Sequence, residues 1–311
     1  MDFPKTAYSH LDAIPKKIKL EDELPTLIDE TRENVHGEEE PYLIFNNVGA
    51  WPVQRTADRK QDAVYIEVWP PYDRYASIAQ LIRDARTYAK DDKSTILAAY
   101  LKPFREGKRE KALPAAKLLM GSIVSNGATH LLTGENQTAL TQGYYSDYTK
   151  FSDSEAEAIR RYYDYMIRYE NLFFDPELQD VTMTHTGWDN YEYQCTSHKV
   201  SSYGEAGKIW MILREKDYRK CIYLLNLCGQ SEDYWNEGKE EPNIQKDIKF
   251  TVQVDTPVEK ICFSTPDGEN MDAIELSFTE RATKTGKFID FTVPSLNYWT
   301  TIWIDTRKET I

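Results

Sequence analysis

The residue best placed to do chemistry is an acid in apolar company. In DAVYIEVWPP, residues 62 to 71, Glu67 stands among Val64, Tyr65, Ile66, Val68 and Trp69. A carboxyl kept from water by aromatic rings favours its protonated form, which a general acid needs near neutral pH. The same placement also suits a Glu paired with Arg or Lys in a buried structural bridge. Other reactive types are less suggestive. His10, His36, His130, His185 and His198 have neither H-E-x-x-H nor another ligand spacing, and Cys195, Cys221, Cys228 and Cys262 have no C-x-x-C. The sequence therefore gives no support for a zinc site, no cofactor is expected, and the cysteines read as buried thiols. A calcium or structural ion stays open.

Four strand-then-helix units must position Glu67. YLIFNNV (42 to 48), AVYIEVW (63 to 69), TILAAYL (95 to 101) and ATHLLTG (128 to 134) are short apolar runs, and helical spacing precedes the first at Leu24, Leu27 and Ile28. Ser77 with Gln80, and Ser152 with Glu155, have capping-box spacing ahead of two further helices, and another helix surrounds residues 114 to 123. Such alternation predicts a parallel sheet covered on both faces. After Pro176 the pattern changes to KIWMILRE, KCIYLLNLCG, IKFTVQVD, KFIDFTVP and YWTTIWID, short alternating runs broken by Gly, Pro, Asn and Asp. These predict an antiparallel sandwich that buries its own inner faces, with a protease-sensitive boundary near Asp175 to Asp180. The acidic turns at 36 to 40 and 236 to 241 read as solvated loops.

Composition narrows the partners. The 311 residues, 41% of them hydrophobic, suffice for two ordinary domains. Acids outnumber bases 51 to 38, and the formal charge of −13 argues against nucleic acid and acidic membrane surfaces. Aromatic content of 13%, with 21 Tyr and 7 Trp, suits sugar binding as well as ordinary packing. Residues 1 to 30 lack the apolar core of a secretory signal, and no run approaches the ~18 apolar residues of a membrane helix. A soluble chain without an address is the expectation, and its compartment is unassigned.

FNNVGAWPV, YIEVWPPYD, ILAAYLKPF and NGATHLLTGE, in this order and spacing, resemble glycoside hydrolase family 66, the dextranases and cycloisomaltooligosaccharide glucanotransferases. The likeness continues through YYDYMIRYENLFF into IYLLNLCGQSEDYW and FTVPSLNYWTTIWID. It implies a retaining α-1,6-glucanase. In that family a Glu at the end of barrel strand six is the acid/base, and Glu67 matches it. The nucleophile is an Asp at the end of strand four. Retention requires such a pair, ~5 Å apart. If Glu67 lies on strand six, Asp2 is the acid where strand four should end. The family places a short Gly-containing turn there, whereas Phe3 and Pro4 follow Asp2; an acid in a frayed tail is the alternative.

The implied fold class is α/β plus all-β: residues 1–178 as the carboxyl-terminal half of a (β/α)8 barrel, strands five to eight, and residues 179–311 as an antiparallel β-sandwich. The family's earlier strands and amino-terminal β-domain are expected to be absent, as in a truncated reading frame. Open sheet edges then favour self-association through the half-barrel. The implied partner is α-1,6-glucan, as dextran or isomaltooligosaccharides. Candidate sugar contacts are Asn46 and Asn47 after strand five, Trp69, Tyr100 after strand seven, and Asn126, His130 and Glu135 around strand eight. Turn, core-packing and structural-histidine roles are the alternatives. The glucanotransferases carry an inserted binding module, and the connections after Tyr100 and Glu135 are too short for one. Endo-hydrolysis of dextran by double displacement is therefore expected first, glucanosyl transfer second, and a catalytically inactive carbohydrate-binding fragment third.

Overall fold

A computed structural model describes residues 5–10, 13–37, 41–90, 93–143, 149–187 and 190–307. A hairpin of β1 (Thr6–Ser9) and β2 (Lys16–Lys19) leads into α1 (Leu20–Asn34). Four parallel neighbours follow, β3 (Ile44–Val48), β4 (Ala63–Glu67), β5 (Ser94–Ala98) and β6 (Ala128–His130). Their connections hold α2 (Val53–Thr56), α3 (Tyr75–Tyr88) and α4 (Ala112–Ser125). Short strands β7 (Thr133–Gly134), β8 (Thr138–Ala139) and β9 (Thr149–Lys150) form a small antiparallel sheet before α5 (Asp153–Arg168) and α6 (Glu170–Phe173).

The remaining strands are β10 (Gln179–Asp180), β11 (Tyr193–Cys195), β12 (Val200–Ser201), β13 (Ile209–Lys216), β14 (Arg219–Asn226), β15 (Gln245–Val254), β16 (Val258–Ser264), β17 (Ile274–Leu276), β18 (Phe278–Thr283), β19 (Gly286–Leu296) and β20 (Trp299–Thr306). Seven of them form one sheet in the order β10-β13-β14-β20-β16-β17, with β12 beside β13, and four form another in the order β11-β15-β19-β18.

The middle strands of the seven-stranded sheet, β13, β14 and β20, are buried on both faces. Met211, Leu213, Ile222, Leu224, Ile302 and Ile304 pack on Ile248, Phe250, Val252, Ile289 and Val293 of the four-stranded sheet. The alternate residues Trp210, Ile212, Tyr223, Leu225, Trp299 and Trp303 instead join the core of the α/β unit. All eight residues of β20, WTTIWIDT, are consequently buried. The alternation expected of a strand with one wet face is absent there, because helices take the place of water.

Helix α4 makes this junction. Twelve of its 14 residues are buried, as a helix apolar on all sides requires. It packs against β6 on one side and against β14 and β20 on the other. At Gly121 an added Cβ would lie 2.7 Å from Leu225 Cδ1 and 3.1 Å from Trp299, so the backbone itself fills the contact.

The segment expected to be a cleavable boundary is held in place. Phe173 and Leu178 are fully buried, and their carbonyls accept from the guanidinium of Arg214, itself fully buried on β13. Lys216 pairs with Asp175 on the same segment.

The expected capping box at α5 is present, with Ser152 and Glu155 bonding reciprocally. At α3 it is not: the helix begins at Tyr75, its N-cap residue Arg74 supplies no side-chain bond, and Tyr75 N donates to the carbonyl of Asp233. The helix starts two residues ahead of the expected cap, and a distant loop satisfies its first donor, Tyr75 N.

Gly121→Val should cost about 1–3 kcal/mol by overpacking the junction. Urea unfolding followed by far-UV and by tryptophan signals should give one coincident transition, moved to lower urea in the variant. Two separate transitions would contradict a continuous core.

Candidate functional site

Strand β4 alternates, and its two faces do different work. Val64 and Ile66 are fully buried toward the helices with Leu97 of β5, while Tyr65 and Glu67 turn the other way. The parallel register puts Asn46 beside Tyr65, Val48 beside Glu67, and Glu67 beside Ala98. Glu67 is the last residue of its strand, at the carboxyl end of the sheet. Its backbone is fixed on one side by Gly49 N donating to Glu67 O (2.8 Å), and the next residue by Val68 N donating to Ala98 O (3.0 Å).

The carboxyl is buried, with 9% of the residue exposed. Oε1 accepts from the Tyr100 hydroxyl at 2.8 Å, and Oε2 lies 3.5 Å from Asn46 Nδ2. Among the described residues no Lys or Arg pairs with it, so the buried ion bridge that the sequence also allowed is not formed. The Trp69 ring lies 5.9 Å from Tyr100 at 56°, over a small cluster of Ala98, Tyr100 and Leu140 that also takes in Tyr65. Its indole N–H is buried without a partner among the described residues.

Sequence reasoning missed Gly143. A Cβ there would lie 2.9 Å from Glu67 Oε1 and 2.9 Å from Trp69 Cζ2, so a bare backbone covers the carboxylate and the indole. Leu101 N donates to Leu140 O, which keeps this returning segment against the end of β5.

Not all candidates gather here. Asn46, Glu67, Trp69 and Tyr100 do. Asn47 pairs in register with Ile66 and so faces the helices, where it donates to Tyr65 O (2.9 Å) and accepts from Thr56 Oγ1 (2.6 Å). His130 is paired with Leu97 and shares that covered face. Its Nε2 lies 2.9 Å from Ala99 O, and Nδ1 has no partner among the described residues. Asn126 caps the end of α4 by donating to Ser122 O, at the amino end of β6 and away from Glu67. Glu135 is exposed in the loop after β7. Asp2 lies outside the described residues. Nor is the acidic turn at 236–241 simply solvated, since Lys239 within it and Trp235 just ahead of it are buried, at 1% and 3% exposed.

A buried carboxyl at the carboxyl edge of a parallel α/β sheet, bonded to a hydroxyl and bordered by an indole, is suited to general acid/base work on a polar, uncharged substrate. The family model of glycosyl hydrolase family 66 matches residues 6–303, and the chain belongs to this family. It is similar to two cycloisomaltooligosaccharide glucanotransferases of Niallia circulans, one 28% identical over 193 residues and the other 26% over 191. Those matches span 61% and 60% of this chain but only 19% of each relative's length. In fold it resembles a Paenibacillus sp. cycloisomaltooligosaccharide glucanotransferase solved in complex with cycloisomaltoheptaose. The TM-score is 0.82 at 15% identity, over 93% of this chain and 59% of that one.

Burial pushes the His130 imidazole down to about 4, against a weaker opposing pull from the Ala99 carbonyl. Its unfolded value is about 6.5. The folded form thus resists a proton that the unfolded form accepts, so stability is fully present above about pH 6.5 and falls as pH drops toward 4. The loss between pH 7 and 4.5 should be about 2–3 kcal/mol. Urea unfolding at both values checks this: His130→Gln should lose less than the wild type by that amount, and an equal loss would clear the imidazole.

Proposed function

We propose that the protein acts on α-1,6-linked glucans by retaining glucosyl transfer, with Glu67 as general acid/base. The observation that carries this reading is the state of Glu67: buried at a strand end, bonded to Tyr100 and free of any cation among the described residues. In the first step the Glu67 carboxyl protonates the leaving glycosidic oxygen as a second carboxylate bonds to the anomeric carbon. In the second, the Glu67 carboxylate takes the proton of an acceptor hydroxyl, whose oxygen displaces the enzyme carboxylate. Asp2 is the proposed second carboxylate, from its order in the chain.

The acceptor distinguishes two activities. The similarity to glucanotransferases, and to one complexed with a cyclic glucan, favours transfer to the glucan's own far end, which gives a cyclic product, over hydrolysis. That reverses the preference drawn from the short connections after Tyr100 and Glu135. In the same reading, residues 1–178 are strands five to eight of a (β/α)8 barrel with their helices, and residues 179–311 are a β-sandwich; Asn46, Trp69 and Tyr100 face the sugar.

Incubation with isomaltooligosaccharides followed by mass spectrometry should give products lighter than the linear oligomers by one water. Glu67→Gln should slow their formation at least ~10²-fold while leaving the fold intact. Linear products alone would restore the hydrolytic reading, and binding without turnover would favour the carbohydrate-binding fragment.

The half-barrel reading also has a physical consequence. Strands β3 and β6 are the edges of the parallel sheet, and its site-bearing face carries Ile44 at 45% exposure and Leu131 just after β6 at 37%. Unpaired edges and wet apolar residues favour pairing with another molecule. Sedimentation velocity at micromolar concentration should report species heavier than the 36.2 kDa monomer; a monomer throughout would count against the open sheet.

A further inference from the structure

The loop between β14 and β15 belongs by sequence to the antiparallel strands, yet it lies along the connections that leave β4 and β5. Trp235 N donates to Asp73 O at 3.1 Å, and its indole N–H donates to Tyr72 O at 2.6 Å. Tyr75 N donates to Asp233 O at 3.1 Å, which supplies the N-terminal cap that α3 lacks in its own sequence. Arg74 pairs with Asp233 and lies over the Tyr234 ring at 4.4 Å. These contacts fix the connection that begins at Trp69, two residues beyond Glu67.

One residue further on, the loop fixes the other connection. Asn236 Oδ1 accepts from Lys102 N at 2.9 Å, and Lys239 N donates to Lys111 O at 3.0 Å. Lys102 is two residues beyond Tyr100, the hydroxyl donor to Glu67. The loop is itself braced from within. The fully buried Lys239 ammonium bonds Glu232 and the Tyr234 carbonyl, lying 5.8 Å from the Tyr75 ring centre. Lysine is rarely buried to this extent without such pairing.

We propose that Trp235 and Asn236 are positioning residues: one strap sets the Glu67–Trp69 connection and the Tyr100–Lys102 connection against each other, and thereby holds the Tyr100 hydroxyl and the Trp69 ring at the carboxylate. This rests on the reading of Glu67 as the acid of the site. Two backbone-directed bonds, one from an indole N–H and one to a side-chain amide oxygen, tie two loops that share no covalent neighbour. A displacement of about 1 Å at a reacting group is enough to cost ~10²-fold in rate, so a fixed distance here has chemical value.

The test uses the full chain with no sugar present, so that its result is independent of whether glucan is the substrate. Hydrogen exchange is measured for peptides covering residues 69–75 and 100–104, together with the indole resonance of Trp69 in 15N-tryptophan-labelled protein. The variants are Trp235→Phe, which keeps the ring without its N–H, Asn236→Leu, which keeps volume without the acceptor, and Asn236→Asp, which keeps the accepting oxygen. Trp235→Phe and Asn236→Leu should exchange at least tenfold faster in both peptides and shift the Trp69 resonance, with Asn236→Asp close to the wild type. Unchanged exchange in both peptides, or Asn236→Asp behaving as Asn236→Leu does, would overturn the proposal. Should Asn236→Leu fail to fold, the comparison of Trp235→Phe with Asn236→Asp decides it by the same criteria.

Discussion

The structure depends on a helix that has no face to give to water. Helix α4, ALPAAKLLMGSIVS, has to be covered on every side, and the parallel sheet can cover only one. Helices α3 and α5 and the seven-stranded sheet supply the rest, the sheet through Leu225 and Trp299, which meet the backbone at Gly121. Once that contact is made, the sheet is apolar on both faces, and the four-stranded sheet is needed to close the far one. The layering thus follows from a single burial requirement, driven by apolar surface leaving water. Arg214 is carried into this junction with its charge, where the carbonyls of Phe173 and Leu178 replace the solvent it has lost.

What could be seen in the sequence was what local chemistry decides. Ser152 and Glu155 satisfy each other within one turn, so their spacing sufficed. Ser77 and Gln80 have the same spacing, but the helix starts earlier, at Tyr75, whose N–H is met by the carbonyl of Asp233, which no local pattern can announce. Strand phase was the other gap. Asn46 and Asn47 are adjacent and chemically identical, and only register with Tyr65 and Ile66 decides that one faces Glu67 and the other the helices. His130 ends a strand of three residues, too short for alternation to reveal its direction. Glu67 stood out because a lone acid in an apolar strand has few explanations, and among the described residues no cation pairs with it, which sets aside the ion bridge.

The loop from β14 to β15 was misread for a related reason. An acidic turn with Asn, Gly and Pro has the composition of a solvated connection, and composition averages over residues that do opposite things. Glu237 and Glu240 are indeed exposed, but Trp235 and Lys239 are nearly inaccessible, and the contacts of Trp235 and Asn236 run to backbone atoms. Backbone partners leave no trace in the identity of the residues that provide them.

Gly143 sets a different kind of limit. A methyl group added there would lie 2.9 Å from a carboxylate oxygen and 2.9 Å from the indole, inside ordinary contact distance. The segment therefore works as a spacer one peptide thick, and nineteen of the twenty amino acids would make it thicker. Any side chain at this point of the loop has to be answered by a shift of the Glu67 carboxyl or the Trp69 ring, so the glycine and the two side chains it covers are bound to change together.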